Sequence, residues 1–361
     1  MDKKSIRIAI FIPPMIGWGG GPQFLSKIAA HLSEKHYVEI FTTKFSLKGL
    51  NFNKVKLTLI KPLNKYLSPI AYLIKKTKDF DLVILTSFPT NLASITHKPS
   101  ITICASPTLF LYEKEHFLKK LGLKKKIMLI LKNVFLKKLD LLSAKKTTLF
   151  LSVSERTKRK VKRFYKRNSR IFYPGIDFDE FKSGRYGNYV LSVSRFVSHK
   201  RVDMVIKSMG YVKNKKIKLK VVGCGEEENK IKELCEKYPN VEFLGFVSDK
   251  KLKELYANCL ALVYVPIDEP EGYAPIEAGA SGKATIGANE GGLKETVVNR
   301  RTGFLIDNVS PIKIAEKIDF FAENRKIAKE MGKEAKRYTK KFDWENTLGV
   351  LDTAIEDVVR D

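Results

Sequence analysis

The sequence predicts an α/β protein built from two doubly wound, Rossmann-like domains. The length of 361 residues exceeds what one ordinary hydrophobic core occupies. Short β-rich segments are separated by stretches compatible with helices, and this pattern restarts near the middle of the chain. Strands that alternate with helices form parallel sheets with right-handed crossovers. Two series of strands therefore indicate two such sheets.

The predicted strands fall on either side of a boundary near residues 175–182, where PGIDFDEF is typical of an interdomain turn. We expect a first domain over 1–176 and a second over 177–343. The first series is RIAIFIP (7–13), YVEIFTT (37–43), DLVILTS (81–87), SITICAS (100–106) and TTLFLSV (147–153). The second is NYVLSVS (188–194), KLKVVG (218–223), VEFLG (241–245), LALVYVP (260–266) and KATIGA (283–288).

The composition favours a globular cytoplasmic protein. Hydrophobic residues make up 44% of the chain and charged residues 29%, which is typical of a folded domain. The four cysteines form no CxxC pair, so we expect reduced thiols. The amino terminus lacks a secretory cleavage pattern, and no apolar stretch approaches the ~20 residues of a membrane-spanning helix.

The positive charge is concentrated in the first half of the chain. Residues 1–176 contain 35 lysines and arginines against 9 acids, whereas residues 177–361 contain 32 against 30. The electric field of this positive charge attracts anionic partners. Nucleic acid, anionic lipid and a phosphorylated substrate are all possible partners of this kind. Lysine-rich composition can also be a compositional bias without functional meaning.

The stretch EPEGYAPIEAGASGKATIGANEGGLKETV (269–297) follows a predicted strand and opens a helix near Tyr273. Ligands of open parallel sheets bind beyond the carboxyl ends of the strands, and a helix start offers free N–H groups to a phosphate. Gly272 would let the backbone approach that anion, and Glu269 and Glu277 could accept hydrogen bonds from sugar hydroxyls. Spacing alone equally fits a helix whose first-turn acids only complement its dipole.

Several segments in a fixed order resemble the retaining glycosyltransferases of family 4, which have the GT-B fold. The two glutamates eight residues apart, Glu269 and Glu277, resemble the glutamate motif of that family. The other similar segments are GWGGGPQFLSKIAAHL (17–32), SVSERTKRKV (152–161), YPGIDFDEF (173–181), SVSRFVSHKR (192–201), VVGCGEEE (221–228), LGFVSDKKLKELYANC (244–259), GGLKETV (291–297) and KFDWENTLGVLDTAIEDV (341–358). Each segment alone is a weak signal, and the GxG at 223–225 is among the weakest. Their combination in this order is specific to the family.

The resemblance implies two Rossmann-like domains facing each other across a cleft, with a last helix at about 344–361 that crosses back to the first domain. It implies transfer of a hexose from a UDP- or GDP-sugar with retention and without a metal cofactor. Arg195 and Lys200 would bind the donor diphosphate, and Glu269 would position the donor sugar. The implied donor contacts are Gly19, Gly20, Gly21, Val247, Gly272, Tyr273, Ala274 and Glu277.

The sequence departs from the family at Ala105, which stands in SITICASPTLFLYE where the family has a histidine. Ser106 can donate a hydrogen bond but cannot exchange a proton at neutral pH as imidazole does. We expect His97, and the acids and histidine at 113–116, to be surface residues. The resemblance therefore leaves no general base, and the leaving phosphate would help to take the acceptor proton. An inactive family member is the alternative.

The prediction about the acceptor depends on residues 119–146, a lysine-rich segment. As a helix this segment would have apolar residues toward one side, namely Ile127, Leu131, Val134, Phe135 and Leu142. Such a helix can lie on an anionic membrane and serve a lipid-linked acceptor at its inner face, or it can simply pack its apolar side on the first sheet. A basic nucleotide- or nucleic-acid-binding protein without catalysis is the other class, since KRKVKRFYKRNSR (158–170) is densely cationic. No nucleic-acid module supports it.

Overall fold

The structure is a computed structural model of the chain, and it describes residues 5–14, 20–45, 54–61, 68–75, 77–86, 88–112, 123–270 and 272–360. It divides into two compact units. The first contains Met1–Tyr173 and Thr347–Asp361, and the second contains Pro174–Asn346. Each unit has its own parallel sheet covered by helices, so the predicted α/β class with two Rossmann-like sheets is confirmed.

The sheet of the first unit has seven parallel strands in the order β3-β2-β1-β4-β5-β6-β7. Near-continuous apolar residues in the central strands are buried, because helices cover both faces of such a sheet. The strands are β1 (Arg7–Phe11), β2 (Tyr37–Thr42), β3 (Val55–Leu59), β4 (Leu82–Leu85), β5 (Ser100–Cys104), β6 (Leu149–Ser152) and β7 (Arg170–Ile171). The strand order reverses between β1 and β4.

The sheet of the second unit has six parallel strands in the order β10-β9-β8-β11-β12-β13. These strands are β8 (Tyr189–Val193), β9 (Lys218–Val222), β10 (Val241–Gly245), β11 (Ala261–Tyr264), β12 (Ala284–Ala288) and β13 (Gly303–Ile306). The strand order reverses between β8 and β11. In open α/β sheets the carboxyl ends at such a reversal form the usual ligand-binding crevice.

The helices of the described chain connect these strands. In the first unit they are α1 (Gly20–Ser33), α2 (Ser68–Ile74), α3 (Leu109–Tyr112), α4 (Leu123–Lys146) and α5 (Glu155–Tyr165). In the second unit they are α6 (Val202–Ser208), α7 (Glu228–Glu236), α8 (Asp249–Asn258), α9 (Tyr273–Ala280), α10 (Leu293–Thr296), α11 (Pro311–Glu323) and α12 (Arg325–Thr339). The last helix, α13 (Trp344–Arg360), continues from the second unit into the first. Among the described helices none is both long and apolar enough to cross a membrane.

Helix α4 buries polar residues and exposes apolar ones. Asp140 is fully buried, and its carboxylate accepts hydrogen bonds from Asn91 Nδ2 at 2.7 Å and from the Tyr112 hydroxyl at 2.8 Å. Phe135 is 60% exposed, and Val134 and Leu142 are exposed as well. The alternative in which these three side chains pack on the first sheet is therefore wrong. The side chains of residues 127 and 131 lie outside the described part.

Among the residues considered as replacements for a histidine at position 105, His97 differs from the expectation. His97 is buried rather than at the surface, because its Nδ1 lies 2.8 Å from the carbonyl oxygen of Ala93 inside the unit. The carbonyl of Ala105 itself accepts a hydrogen bond from the Thr157 hydroxyl at 2.8 Å. The hydroxyl of Ser106 donates to the Pro107 carbonyl at 3.0 Å. Residues 113–116 lie outside the described part.

Candidate functional site

The candidate site lies in the second unit, where strands β8 and β11 end side by side. Arg195 follows β8 by two residues, and Glu269 follows β11 by five. Parallel neighbours end at the same edge of a sheet, so these two segments are brought together although the sequence separates them widely. The backbone N–H of Ile267 donates to the carbonyl of His199 at 2.7 Å, which fixes one segment to the other.

Lys200 forms the central ion pair of the site. Its ammonium donates a hydrogen bond to Glu269 Oε2 and a second, at 3.0 Å, to the Tyr264 hydroxyl. The Lys200 and Glu269 side chains are only 15% and 14% exposed, so little water screens their interaction. An ammonium has three N–H donors, and these two bonds leave one to meet a ligand.

Arg195 is exposed, and the backbone on either side of it packs closely against two glycines. A Cβ on Gly223 would overlap the carbonyl oxygen of Ser194, and one on Gly225 would lie 2.6 Å from the carbonyl oxygen of Phe196. Both glycines have positive φ, which L side chains rarely adopt. The GxG at 223–225, a weak signal by itself, thus supports the segment that presents Arg195.

The charges at this sheet edge influence a neighbouring histidine. Burial lowers the pKa of His199, and the positive charges of Lys200 and Arg195 lower it further, against the opposing effect of Glu269. His199 therefore holds its proton less readily than an ordinary histidine does. The cations of the site are the lysine and arginine side chains.

Helix α9 begins immediately after this cluster. Gly272 is its N-cap with φ of 80°, and Tyr273 and Ala274 are the first helical residues. A Cβ on Gly291, where φ is 60°, would overlap the carbonyl oxygen of Glu269. The N–H of Gly292 donates to that same oxygen at 2.6 Å. The paired glycines therefore brace the backbone of Glu269.

Glu277 lies in the second turn of α9 and is partly exposed. Its Oε2 accepts a hydrogen bond from the Tyr256 hydroxyl at 2.8 Å. Burial raises the pKa of Glu277 to about 7, and the Tyr256 hydrogen bond opposes this rise only in part. The carboxyl group is thus both a hydrogen-bond acceptor and, near neutral pH, a donor.

The remaining predicted contacts lie elsewhere in the chain. Val247 is in the loop between β10 and α8, at the carboxyl edge of the same sheet. Gly20 and Gly21 open α1 in the first unit, and Gly19 lies outside the described residues. The described part of the chain contains no group of three or more His, Cys, Asp or Glu arranged to hold a metal ion.

Three polar partners of the site have no signal in the sequence. Tyr264 contacts Lys200, Tyr256 contacts Glu277, and Arg201 Nη1 pairs with Glu290 Oε1 at 2.9 Å. Tyrosines in a strand and a helix are ordinary core residues by pattern alone. Glu290 directly precedes the glycine pair at 291–292, and this position is the one sequence signal for it.

Comparison with known proteins gives a coherent result. Residues 176–338 match the family model of glycosyl transferases group 1. The uncharacterized glycosyltransferase MJ1178 of Methanocaldococcus jannaschii is 29% identical over 55% of this chain and 56% of its own length. The capsular polysaccharide biosynthesis glycosyltransferase CapM of Staphylococcus aureus is 31% identical over 47% of each chain. The matches thus span about half the length of these relatives.

Solved structures extend the likeness over almost the whole chain. The crystal structure of Anabaena Alr3699/HepE in complex with UDP and glucose has a TM-score of 0.75 at 18% identity and covers 97% of this chain and 100% of that one. The glycosyltransferase WaaG has a TM-score of 0.74 at 15% identity, over 97% and 99%. At this identity the likeness shows the fold. The chain thus has the GT-B fold of glycosyltransferases, and its residues 176–338 match the family of glycosyl transferases group 1.

Proposed function

We propose that this protein is a retaining glycosyltransferase that moves a hexose from a nucleoside-diphosphate sugar to an acceptor. The observation that carries the proposal is the Lys200–Glu269 ion pair beside Arg195, directly before the N-terminus of α9. The donor diphosphate would lie against the two cations and the positive N-terminal end of α9. Glu269 would then accept hydrogen bonds from the donor sugar.

We propose UDP as the nucleotide, with GDP as the alternative. Support comes from the HepE structures, which contain UDP, UDP and glucose, or UDP-glucose on a similar fold. The carboxyl of Glu277 would bind ribose hydroxyls, and its pKa of about 7 would let it accept or donate a hydrogen bond there near neutral pH. Val247 would meet the base from its loop at the same sheet edge.

The proposed reaction replaces one bond to the anomeric carbon by another on the same face of the sugar. The acceptor oxygen forms its bond to the anomeric carbon as the bond from that carbon to the diphosphate oxygen breaks. The bonding electrons leave with the diphosphate, and the acceptor proton passes to a departing phosphate oxygen. Arg195 and Lys200 stabilise the negative charge that grows on the diphosphate, more strongly in the transition state than in the bound donor.

In this proposal no metal ion is needed, because two side-chain cations take the position in which a metal would neutralise the leaving group. No step is assigned to an imidazole near the donor sugar, since Ala105 occupies that position. Glu269 acts as a positioning residue rather than as a nucleophile. Its pairing with Lys200 holds its carboxyl group in position when the donor arrives.

A thermal-shift screen with UDP, GDP and their sugars tests the donor proposal. A ligand that binds the folded protein raises its Tm by mass action, so UDP and a UDP-hexose should stabilise the wild type. Arg195→Ala should remove this shift, whereas Lys232→Ala, an exposed cation on α7, should keep it. Equal shifts in all three proteins, or no shift with any nucleotide, would refute the proposed site. Binding without sugar transfer or donor hydrolysis would identify an inactive member.

We also propose that the acceptor is lipid-linked and that α4 rests on the anionic inner face of a membrane. Support comes from Val134, Phe135 and Leu142, which are exposed while the opposite polar side of α4 is buried. The lysines on the same helix add about 1 kcal/mol each at an anionic surface. The structural neighbour WaaG is described as a glycosyltransferase involved in lipopolysaccharide biosynthesis.

Vesicle flotation tests this second proposal. The wild type should float with anionic vesicles and much less with neutral ones. The double substitution Phe135→Glu and Leu142→Glu should abolish flotation, because it places charge on the apolar side of α4. Lys232→Glu changes a charge on the second unit and is the matched control. Equal flotation with both lipids, or no effect of the double substitution, would contradict the membrane role.

A further inference from the structure

A second concave site lies in the second unit, away from the Lys200–Glu269 pair. It is a groove of about 940 Å³ lined by residues 183–186, by Gly282 and by helix α12. Residues 183–186 precede β8 and Gly282 precedes β12, so the groove lies at the amino edge of the sheet. The candidate donor site lies at the carboxyl edge. A five-residue strand separates the two edges by about 16 Å.

The groove is strongly cationic in a unit that is otherwise nearly balanced. Seven of its eleven lining residues are lysines or arginines, and none of the lining residues described is acidic. The unit as a whole holds 31 lysines and arginines against 26 acids. The charged groups of Arg185, Lys326, Lys329 and Lys333 have no hydrogen-bond or ion-pair partner within the described structure. Their positive charge is therefore uncompensated.

The wall formed by residues 183–186 is held by buried contacts. Lys283 is completely buried, and its ammonium donates to the carbonyl of Arg185 at 2.9 Å and lies 3.5 Å from the centre of the Tyr186 ring. The Tyr186 hydroxyl donates to the Gly282 carbonyl at 2.6 Å. Arg325 Nη1 donates to the Tyr186 carbonyl at 2.9 Å. A wall fixed this way needs little ordering when a ligand binds.

Helix α12 forms the opposite wall of the groove and packs closely against the first wall. Gly332 lies against Gly282 and Tyr186, and a Cβ at Gly332 would overlap the Gly282 carbonyl and the Tyr186 hydroxyl. Lys329 and Lys333, on either side of this contact along the chain, are one helical turn apart, which is about 6 Å. The tight glycine contact therefore holds the backbone of α12 close to the wall that contains Arg185.

We propose that this groove binds a small polyphosphorylated molecule, one that carries two or more linked phosphate groups, at a site separate from the donor site. A volume of about 940 Å³ lies within the range of small-molecule pockets. Phosphate oxygens accept strong, charge-assisted hydrogen bonds from lysine and arginine donors, and linked phosphates offer several such oxygens to a cluster of them. The groove is concave and lined by charged and polar groups, whereas a membrane-binding surface presents apolar side chains on an open face. The ligand would thus be a discrete molecule rather than a bilayer.

Inorganic tripolyphosphate is the probe, and isothermal titration calorimetry on the full chain is the measurement. We expect one tripolyphosphate per chain at this site, with an affinity that falls when salt rises from about 50 mM to about 200 mM. The double variant Lys329→Glu and Lys333→Glu reverses two unpartnered charges and should weaken binding at least tenfold. The control, Lys232→Glu and Lys237→Glu on and next to α7, makes the same change in net charge and should alter affinity less than twofold.

A third variant separates the two sites, because tripolyphosphate could also occupy the proposed diphosphate site. Arg195→Ala with Lys200→Met should leave binding at the groove intact. Loss of binding in this variant, or equal losses in both charge-reversal variants, would overturn the proposal. So would flotation of the wild type with anionic vesicles that depends on Lys329 and Lys333 while tripolyphosphate fails to bind. Since no donor or turnover enters the titration, its outcome is independent of the proposed transfer reaction.

Discussion

Replacing Lys200 with methionine would leave the Glu269 carboxylate without its cation in a place that is only 14% exposed. Removing one partner of a buried ion pair costs about 3–5 kcal/mol, because the other charge remains buried. The residual exposure of both side chains lowers this to about 3 kcal/mol, or a fall in Tm of about 6–12 °C for a unit of this size. We expect Lys200→Met to show this loss in urea unfolding, and to abolish sugar transfer.

The double variant Lys200→Met with Glu269→Gln distinguishes the ion pair from mere loss of packing. It removes both charges, so it should regain most of the lost stability while transfer remains abolished, because the diphosphate has lost a cation. The control is Lys207→Met, which breaks an exposed pair with Asp203 (2.9 Å) and should cost at most about 0.5 kcal/mol. If Lys200→Met costs no more than Lys207→Met, or if the double variant is no more stable than the single one, the reasoning is refuted.

Three further predictions follow from the same site. The pKa of Glu277 is about 7 in the folded protein, against an ordinary value of 4.5. Between these two pH values the folded protein therefore binds a proton that the unfolded chain releases, and its free energy of unfolding falls by up to roughly 3 kcal/mol as pH rises through this range. Glu277→Gln should therefore gain stability over the wild type at about pH 8 but not at about pH 4.5, and parallel pH curves in urea unfolding would contradict this. Gly291→Ala should cost at least about 1 kcal/mol and reduce transfer, because its φ is 60° and its Cβ would overlap the Glu269 carbonyl, whereas Gly349→Ala, in open space on α13, should be neutral or stabilising by up to about 1 kcal/mol. Excess EDTA should leave the initial transfer rate unchanged within twofold, and a loss restored by a divalent cation would show that a metal takes part.

The fold class could be predicted because central strands of a parallel sheet are apolar on both faces. The predicted strand VEFLG matches β10 in both bounds, and LALVYVP contains β11. Strand β3 (VKLTL) lies at the sheet edge and alternates apolar and polar residues; it contains no continuous apolar run, and the prediction missed it. Strand β13, with four residues, was missed as well.

The site was predictable only where one motif holds several of its members. Glu269, Gly272 and Glu277 share a segment, and their spacing already places them around one helix start. The contact of Lys200 with Glu269 joins residues 69 positions apart, and the contact of Tyr256 with Glu277 joins two helices. Such contacts depend on the order of strands in the sheet, which local patterns do not encode. Lys200 was predicted as a site residue only through the resemblance to a family, and Tyr256 was not predicted at all.

Helix α13 has a consequence for how a protein of this kind can be rebuilt from parts. Its residues from Thr347 onward belong to the first unit, where Asp352 bonds His31 at 2.8 Å and Asp357 bonds Arg170 at 2.6 Å. A chain cut once near residue 173 would thus leave its amino-terminal piece with an uncovered apolar surface that the last helix normally shields. Recombination between relatives must therefore exchange the second unit as an insertion with two junctions, one at each crossing of the chain.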